Sequence, residues 1–248
     1  MQPTITVKTY GETAIAHLGR ALEKNAPVME RLTERLVADV QAGKSLFAFG
    51  SGHAAIFTME LYHRAGGCSF LVPIFADYLL PTAGPPVVRV LERTPAAANM
   101  MLARAQTRPG EMIWIASQSG INAAVVDFAL EAKRLGLHAV AFTSLEHSSA
   151  VESRHPSKKR LYEVCDETVD LGGFRGDACL DIAAGVRAGP LSSLGSILLG
   201  HSILTAACSR LEQSGVRCTY TSVNTPEGEQ RNRAIEQAAM ERDPLLRG

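Results

Sequence analysis

Two short apolar runs constrain this chain most, because each ends in a small-residue turn that opens a helical pattern. Residues 45–49 (SLFAF) run into Gly50-Ser51-Gly52-His53-Ala54-Ala55, and residues 111–116 (EMIWIA) run into Ser117-Gln118-Ser119-Gly120-Ile121-Asn122. An unbroken apolar run of this length, bounded by turn residues, reads as a strand buried on both faces. Further strands are expected at 68–75, 138–143, 164–171 and near 218–223. Helices are expected at 53–64, 96–106, 122–135, 191–213 and 227–240. Strands alternating with helices of about a dozen residues form βαβ units. The predicted fold is α/β: a doubly wound, mostly parallel sheet flanked by helices on both faces. Ligands bind such sheets beyond the carboxyl ends of the strands, and both glycine–serine turns lie there.

The 248 residues suit one elaborated domain, 1–248, with an N-terminal helical extension (about 1–41) and a C-terminal helix (about 227–240). In the extension Ile15, Leu18, Leu22, Val28, Leu32, Leu36 and Val40 fall near helical spacing. Pro27 is expected to break or kink it into two helices. Hydrophobic residues make up 46% and charged residues 20%, which excludes bulk disorder. Lys+Arg and Asp+Glu are both 25, so a broad electrostatic footprint for nucleic acid is not expected. The basic stretch 154–160 lacks the interleaved aromatics of a single-strand binder. Five cysteines, an odd number with no C-x-x-C, fit reduced thiols and a cytoplasmic location. Residues 188–209 are uncharged and long enough to cross a membrane. Their Pro, His, three Gly and five Ser favour a buried helix instead.

The chemistry follows from the turns. Glycines let the backbone approach an anion, and a helix N-terminus offers free N–H groups and a positive dipole end. Two serines and an asparagine in the second turn add hydroxyl and amide groups that can converge on one phosphate. The first turn also spells the G-x-G-x-x-A form of a dinucleotide fingerprint, with Asp77 as a candidate ribose ligand. The hydroxyl-rich second turn speaks against that reading.

Further motifs stand in order along the chain: 50–53 (GSGH), 60–67 (ELYHRAGG), 117–122 (SQSGIN), 143–148 (TSLEHS), 154–161 (RHPSKKRL), 176–178 (GDA) and 222–228 (SVNTPEG). Together they resemble the sugar isomerase (SIS) domain family, in particular a bacterial group close to phosphoheptose isomerases. The likeness runs from about residue 13 to 240. Ala54 stands where serine is usual, Gln118 and Ile121 replace the usual Asn and Arg, and Lys158 stands where glycine is common. The resemblance implies a flavodoxin-like three-layer sandwich and a phosphosugar aldose–ketose isomerase working by enediol proton transfer.

Carried over by position, Glu60 and His201 are the catalytic pair. Gly50, Ser51, Gly52, His53, Ser117, Gln118, Ser119, Asn122, Ser144 and Asn224 are the substrate-binding residues. The apolar neighbours of Glu60 suggest burial and hence a raised carboxyl pKa. His147 and His155, which bracket the basic stretch, and Asp177 are further candidates near the site, and Glu227 follows Asn224 at the same expected edge. No cofactor is required, although the resemblance allows zinc. It also implies a homodimer or homotetramer acting on a sugar phosphate; from the charge balance and composition no nucleic acid or membrane partner is expected. The alternatives are a non-catalytic sugar-phosphate sensor and a phosphosugar lyase on the same fold.

Overall fold

Five parallel strands carry the molecule: β1 (Leu46–Gly50), β2 (Leu71–Ile74), β3 (Met112–Ala116), β4 (His138–Thr143) and β5 (Glu167–Asp170). The computed structural model describes residues 4–95 and 98–247. The strand order is β2-β1-β3-β4-β5. Leu46 pairs with Leu71 on one side and with Met112 on the other. The chain therefore reverses its direction of winding at β1, and the gap between β1 and β3 is the topological switch point.

Alternation along the strands sorts side chains into two cores. Leu46, Ala48, Met112, Trp114, Val140, Phe142 and Val169 meet one helical layer. That layer is α1 (Thr9–Gln41), α2 (Ala55–Leu61) and α8 (Ser192–Gln213). Phe47, Phe49, Val72, Ile74, Ile113, Ile115 and Ala141 meet the other. It contains α4 (Ala98–Arg104), α5 (Ala123–Arg134) and α7 (Leu161–Val164). The remaining helices are α3 (Pro85–Leu91), α6 (Leu145–Ser149) and α9 (Pro226–Ala239). Trp114 is fully buried, with the Phe142 and Phe57 rings 5.1 and 6.2 Å away. The mostly parallel sheet with helices on both faces agrees with the expectation from the strand–helix alternation.

Several details differ. Pro27 does not break α1, which runs as one helix of 33 residues. Pro27, Ala26 and Glu23 all face solvent, so the carbonyl that loses its N–H partner can be hydrated. The segment 218–223 adds no strand to the sheet. It makes an isolated antiparallel bridge, Cys68 to Thr219, ahead of the amino end of β2. A hairpin, β6 (Ala178–Ala183) and β7 (Val186–Pro190), was not expected. Most of its side chains are exposed, and Gly185 at φ +71° marks its turn. Residues 96–97, at the start of a predicted helix, lie outside the described residues.

α8 is long and apolar enough to cross a membrane. Here it packs on α1 and α2. It buries Leu199, Ile203, Leu204, Ala207 and Leu211 against the sheet layer. A Cβ on Gly200 would stand 2.8 Å from the Phe57 ring, so this glycine sets how closely α2 and α8 approach.

Candidate functional site

The carboxyl ends of β1 and β3 open into a cleft of about 310 Å³ at the switch point. Its first wall is the turn after β1. A Cβ on Gly50 would lie 2.3 Å from the Ala54 carbonyl oxygen, so only glycine lets the chain turn this tightly. Ser51 is buried and donates from Oγ to Glu92 Oε1 at 2.8 Å. Gly52 sits at φ +58°, and His53 is exposed at the cleft wall.

The second wall is the turn after β3. Ser117 Oγ accepts from the Gly120 N–H at 3.2 Å and pins the turn. Gly120 is at φ +59°, with Thr143 Oγ1 2.8 Å from where a Cβ would be. Ser119 and Asn122 line the cleft beyond it. Asn122 opens α5 and accepts from Arg154 Nη1 at 2.6 Å. Gln118 also lines the cleft, and its Oε1 is buried without a hydrogen-bond partner among the described residues.

The third wall is the N-terminus of α8, with Ser192, Ser193 and Ser196. Asp177, at φ +65°, takes the place of a cap there. Its Oδ1 accepts from the N–H groups of Leu191 and Ser192 at 3.2 and 2.9 Å, and its Oδ2 from Ser192 Oγ at 2.6 Å. His147 completes the wall, accepting at Nδ1 from the Gly176 N–H at 3.0 Å. That bond places the proton of the neutral ring on Nε2. Burial lowers the His147 pKa below its ordinary value; Asp177 opposes the shift, while Arg175 and Arg154 add to it.

The cleft thus brings together Ser51, His53, Ser117, Gln118, Ser119 and Asn122 from the predicted set, bounded by the glycines of the first turn. It does not include the other four residues. Ser144 is fully buried and caps α6, accepting from the His147 N–H at 3.2 Å. Its role here is to hold the short helix that carries His147. Asn224 is exposed on the loop into α9 and does not line the cleft. The preceding segment bridges to Cys68 at the amino edge of the sheet, which removes Asn224 from the expected edge.

Glu60 and His201 do meet, with His201 Nε2 3.6 Å from Glu60 Oε1. They do so in a separate hollow beside Ala65 and Gly66. Glu60 is not buried among apolar groups. Its side chain is 36% exposed and ion-paired with Arg64. Leu61 and Thr58 turn inward, while Met59 turns out. Burial lowers the His201 pKa, and Arg64 adds to the effect.

Zinc sites take three or four protein ligands. Glu60 and His201 supply two, and a guanidinium already holds the carboxylate, so this chain alone does not complete a zinc site there. Among the described residues no group of three or more His, Cys, Asp and Glu is placed to hold a metal. His63 is engaged with Glu236 at 2.9 Å, and His155 with Ser157 at 2.7 Å.

Sequence reasoning missed Glu92, Ser192, Ser193 and Ser196. The serines opening a long apolar helix were a local signal for an N-terminus. Glu92 had none, because only the fold carries the end of α3 to the first turn.

A 2-1-3-4-5 parallel sheet with a polar cleft at its switch point defines a doubly wound α/β domain of the ligand-binding kind. Within that class the chain belongs to the SIS domain family, whose model matches residues 9–144. UPF0309 proteins from Shouchella clausii and Oceanobacillus iheyensis are each 31% identical, over 232 and 229 residues. These matches cover 92% and 91% of this chain and 94% and 93% of theirs. Among solved structures, a phosphoheptose isomerase from Neisseria gonorrhoeae superposes with a TM-score of 0.52 at 17% identity. It covers 82% of this chain and 97% of its own. A phosphoheptose isomerase from Francisella tularensis gives 0.51 at 11% identity, covering 82% of this chain and 96% of its own. The Vibrio vulnificus NanR protein complexed with ManNAc-6P gives 0.50 at 13%, covering 85% of this chain and 65% of its own. At these identities the likeness is one of fold.

Proposed function

We propose that the cleft binds a sugar phosphate and that the chain interconverts an aldose and a ketose phosphate through an enediol. The observation that supports this reading is the convergence of both βα turns and the α8 N-terminus on one small cavity lined with Ser51, Ser117, Ser119, Ser192 and Ser193. Helix N-termini and hydroxyls are the groups that hold a phosphate without a metal. The isomerisation needs a carboxylate to move a proton between C1 and C2, and a donor to the carbonyl oxygen. Neutral His147, with its proton on Nε2, suits the donor. Three carboxylates are at hand, Glu60 beside His201 and Glu92 and Asp177 in the cleft, and Asp177 is engaged in capping α8. Phosphoheptose isomerases share the fold, which is compatible with this chemistry.

The test is calorimetry with a panel of aldose and ketose phosphates and the matching free sugars, followed by an NMR assay for interconversion. Saturable binding of a phosphosugar with turnover supports the reading. Binding of no member of the panel overturns it.

A second reading, a sensor that binds without turnover, draws on the separation of Glu60 and His201 from the cleft. Tight binding without interconversion would select it. We further take the chain to act in the cytoplasm as a homodimer or homotetramer. Ile56 and Met59 on α2 and Leu194 on α8 are exposed apolar side chains that a second copy would cover, which light scattering in solution tests.

A further inference from the structure

We propose that Glu92 is the base that moves the substrate's carbon-bound proton, with the phosphate held on the opposite wall of the cleft; this rests on the phosphosugar reading above. Glu92 stands at the end of α3 and is fixed from two sides. Its Oε1 accepts from Ser51 Oγ at 2.8 Å, and its backbone carbonyl accepts from the Ala124 N–H at 3.0 Å. A Cβ on Gly52 would lie 2.7 Å from that same Oε1, so the first turn leaves room for the carboxylate where a side chain would collide. The carboxylate is thus built into the mouth of the first turn.

That placement divides the cleft by charge. A carboxylate repels a phosphate across a few ångströms of partly desolvated space. The first turn, which reads in sequence as an anion cradle, is therefore the wall a phosphate avoids. Asp177 puts a second carboxylate on the α8 wall, which leaves the second turn as the wall that carries none. Arg154 donates to Asn122 there, and its backbone N–H is bonded to the Ile121 carbonyl at 2.9 Å. The phosphate is placed against Ser119 and Asn122, and the reacting carbons fall on the Glu92 side. Glu60 has no such access, since it lies in the other hollow with Arg64 on its carboxylate.

In the step, the Glu92 carboxylate takes the proton from C2 of the open-chain aldose phosphate. The C–H electron pair forms the C1–C2 double bond, and the carbonyl pair moves to O1, which is protonated from Nε2 of His147. The same nitrogen then recovers a proton from O2 as the C2–O2 double bond forms. Glu92 delivers its proton to C1, giving the ketose phosphate with both groups restored.

The experiment follows exchange of the C1/C2 proton of a bound sugar phosphate with D2O by NMR, alongside calorimetric affinity. Glu92→Gln keeps an acceptor for Ser51 and removes the base. It should bind the phosphosugar at least as tightly as the wild type, since the repelling charge is gone, and lose exchange by about 10²–10⁴-fold. Glu92→Asp keeps the charge but withdraws it by one methylene, and should bind while exchanging more slowly than wild type. Exchange at the wild-type rate in Glu92→Gln, or no exchange in a wild-type protein that binds the sugar, overturns the role of Glu92 and leaves the binding site standing. Absence of phosphosugar binding in the wild type overturns the functional reading itself and this proposal with it.

Discussion

Asp177 caps α8 from outside the helix: one carboxylate oxygen accepts from the Leu191 and Ser192 N–H groups and the other from the Ser192 hydroxyl. The residue at the N-cap position, Leu191, has no side chain able to do this. A carboxylate at a helix N-terminus also meets the positive end of the dipole. Asp177→Ala should therefore cost about 1 kcal/mol, seen as a fall in Tm of about 2–4 °C for a domain of this size. Asp177→Asn, which keeps an acceptor, should lose less. Thermal melts of both variants check this, and an unchanged Tm in Asp177→Ala would remove the cap.

Two glycines predict opposite signs for the same substitution. Gly50→Ala forces a methyl to within 2.3 Å of the Ala54 carbonyl oxygen, a backbone atom that cannot swing aside. The turn must shift, at a cost of about 1–3 kcal/mol. Gly19 lies exposed inside α1 with nothing within 4 Å of an added Cβ. Gly19→Ala should stabilise by roughly 0.5–1 kcal/mol through the lower entropy of the unfolded chain. Denaturant titrations at matched m-values read both effects.

The contrast between these glycines reflects what the sequence could and could not reveal. The runs 45–49, 111–116 and 138–143 were legible because a strand buried on both faces needs no partner to declare itself. Both cleft turns were legible because glycine and serine stand there in a fixed order after a strand. The hairpin was not, because its residues are mostly small or, like Ile182 and Val186, exposed, so no bulky buried run marks its strands. Pro27 misled because helix breaking depends on whether the freed carbonyl meets water, which sequence does not state. Glu60 misled for a related reason. Consecutive residues of a helix lie on different faces, so apolar neighbours in the chain did not mean apolar surroundings. Glu92 entered the site through tertiary contacts alone, whereas the α8 serines carried a local helix-start signal that did not say where the helix points.

The lowered pKa of His147 fixes the sign of a pH effect. Burial makes its folded-state pKa lower than the ordinary 6.5 of the unfolded chain. Between those two values the unfolded state binds more protons, so stability rises with pH through the window. Conversely, acidification below about 6.5 should destabilise the fold as this imidazole and that of His201, shifted the same way, are forced to charge. Tm measured from pH 7.5 to 5 should fall, and His147→Gln should flatten the slope. A slope unchanged by that substitution would show that His147 titrates as it does in the unfolded chain.

Ser119 separates the binding role of the second turn from its structural one. Ser117 already holds the turn through its bond to the Gly120 N–H, whereas Ser119 stands half-buried in the cleft wall. If a phosphate rests there, Ser119→Ala removes a hydroxyl donor to a charged oxygen, a bond that contributes about 1.5–3 kcal/mol. Affinity for the phosphosugar should fall on the order of tenfold or more, while affinity for the unphosphorylated sugar stays low and unchanged. Because the lost contact is to the non-reacting end of the ligand, KM should rise more than kcat falls. Ser117→Ala should instead lower Tm along with affinity, since it frees a buried N–H. Calorimetry and melts on the two variants distinguish these outcomes, and equal phosphosugar affinity in wild type and Ser119→Ala would move the phosphate away from this turn.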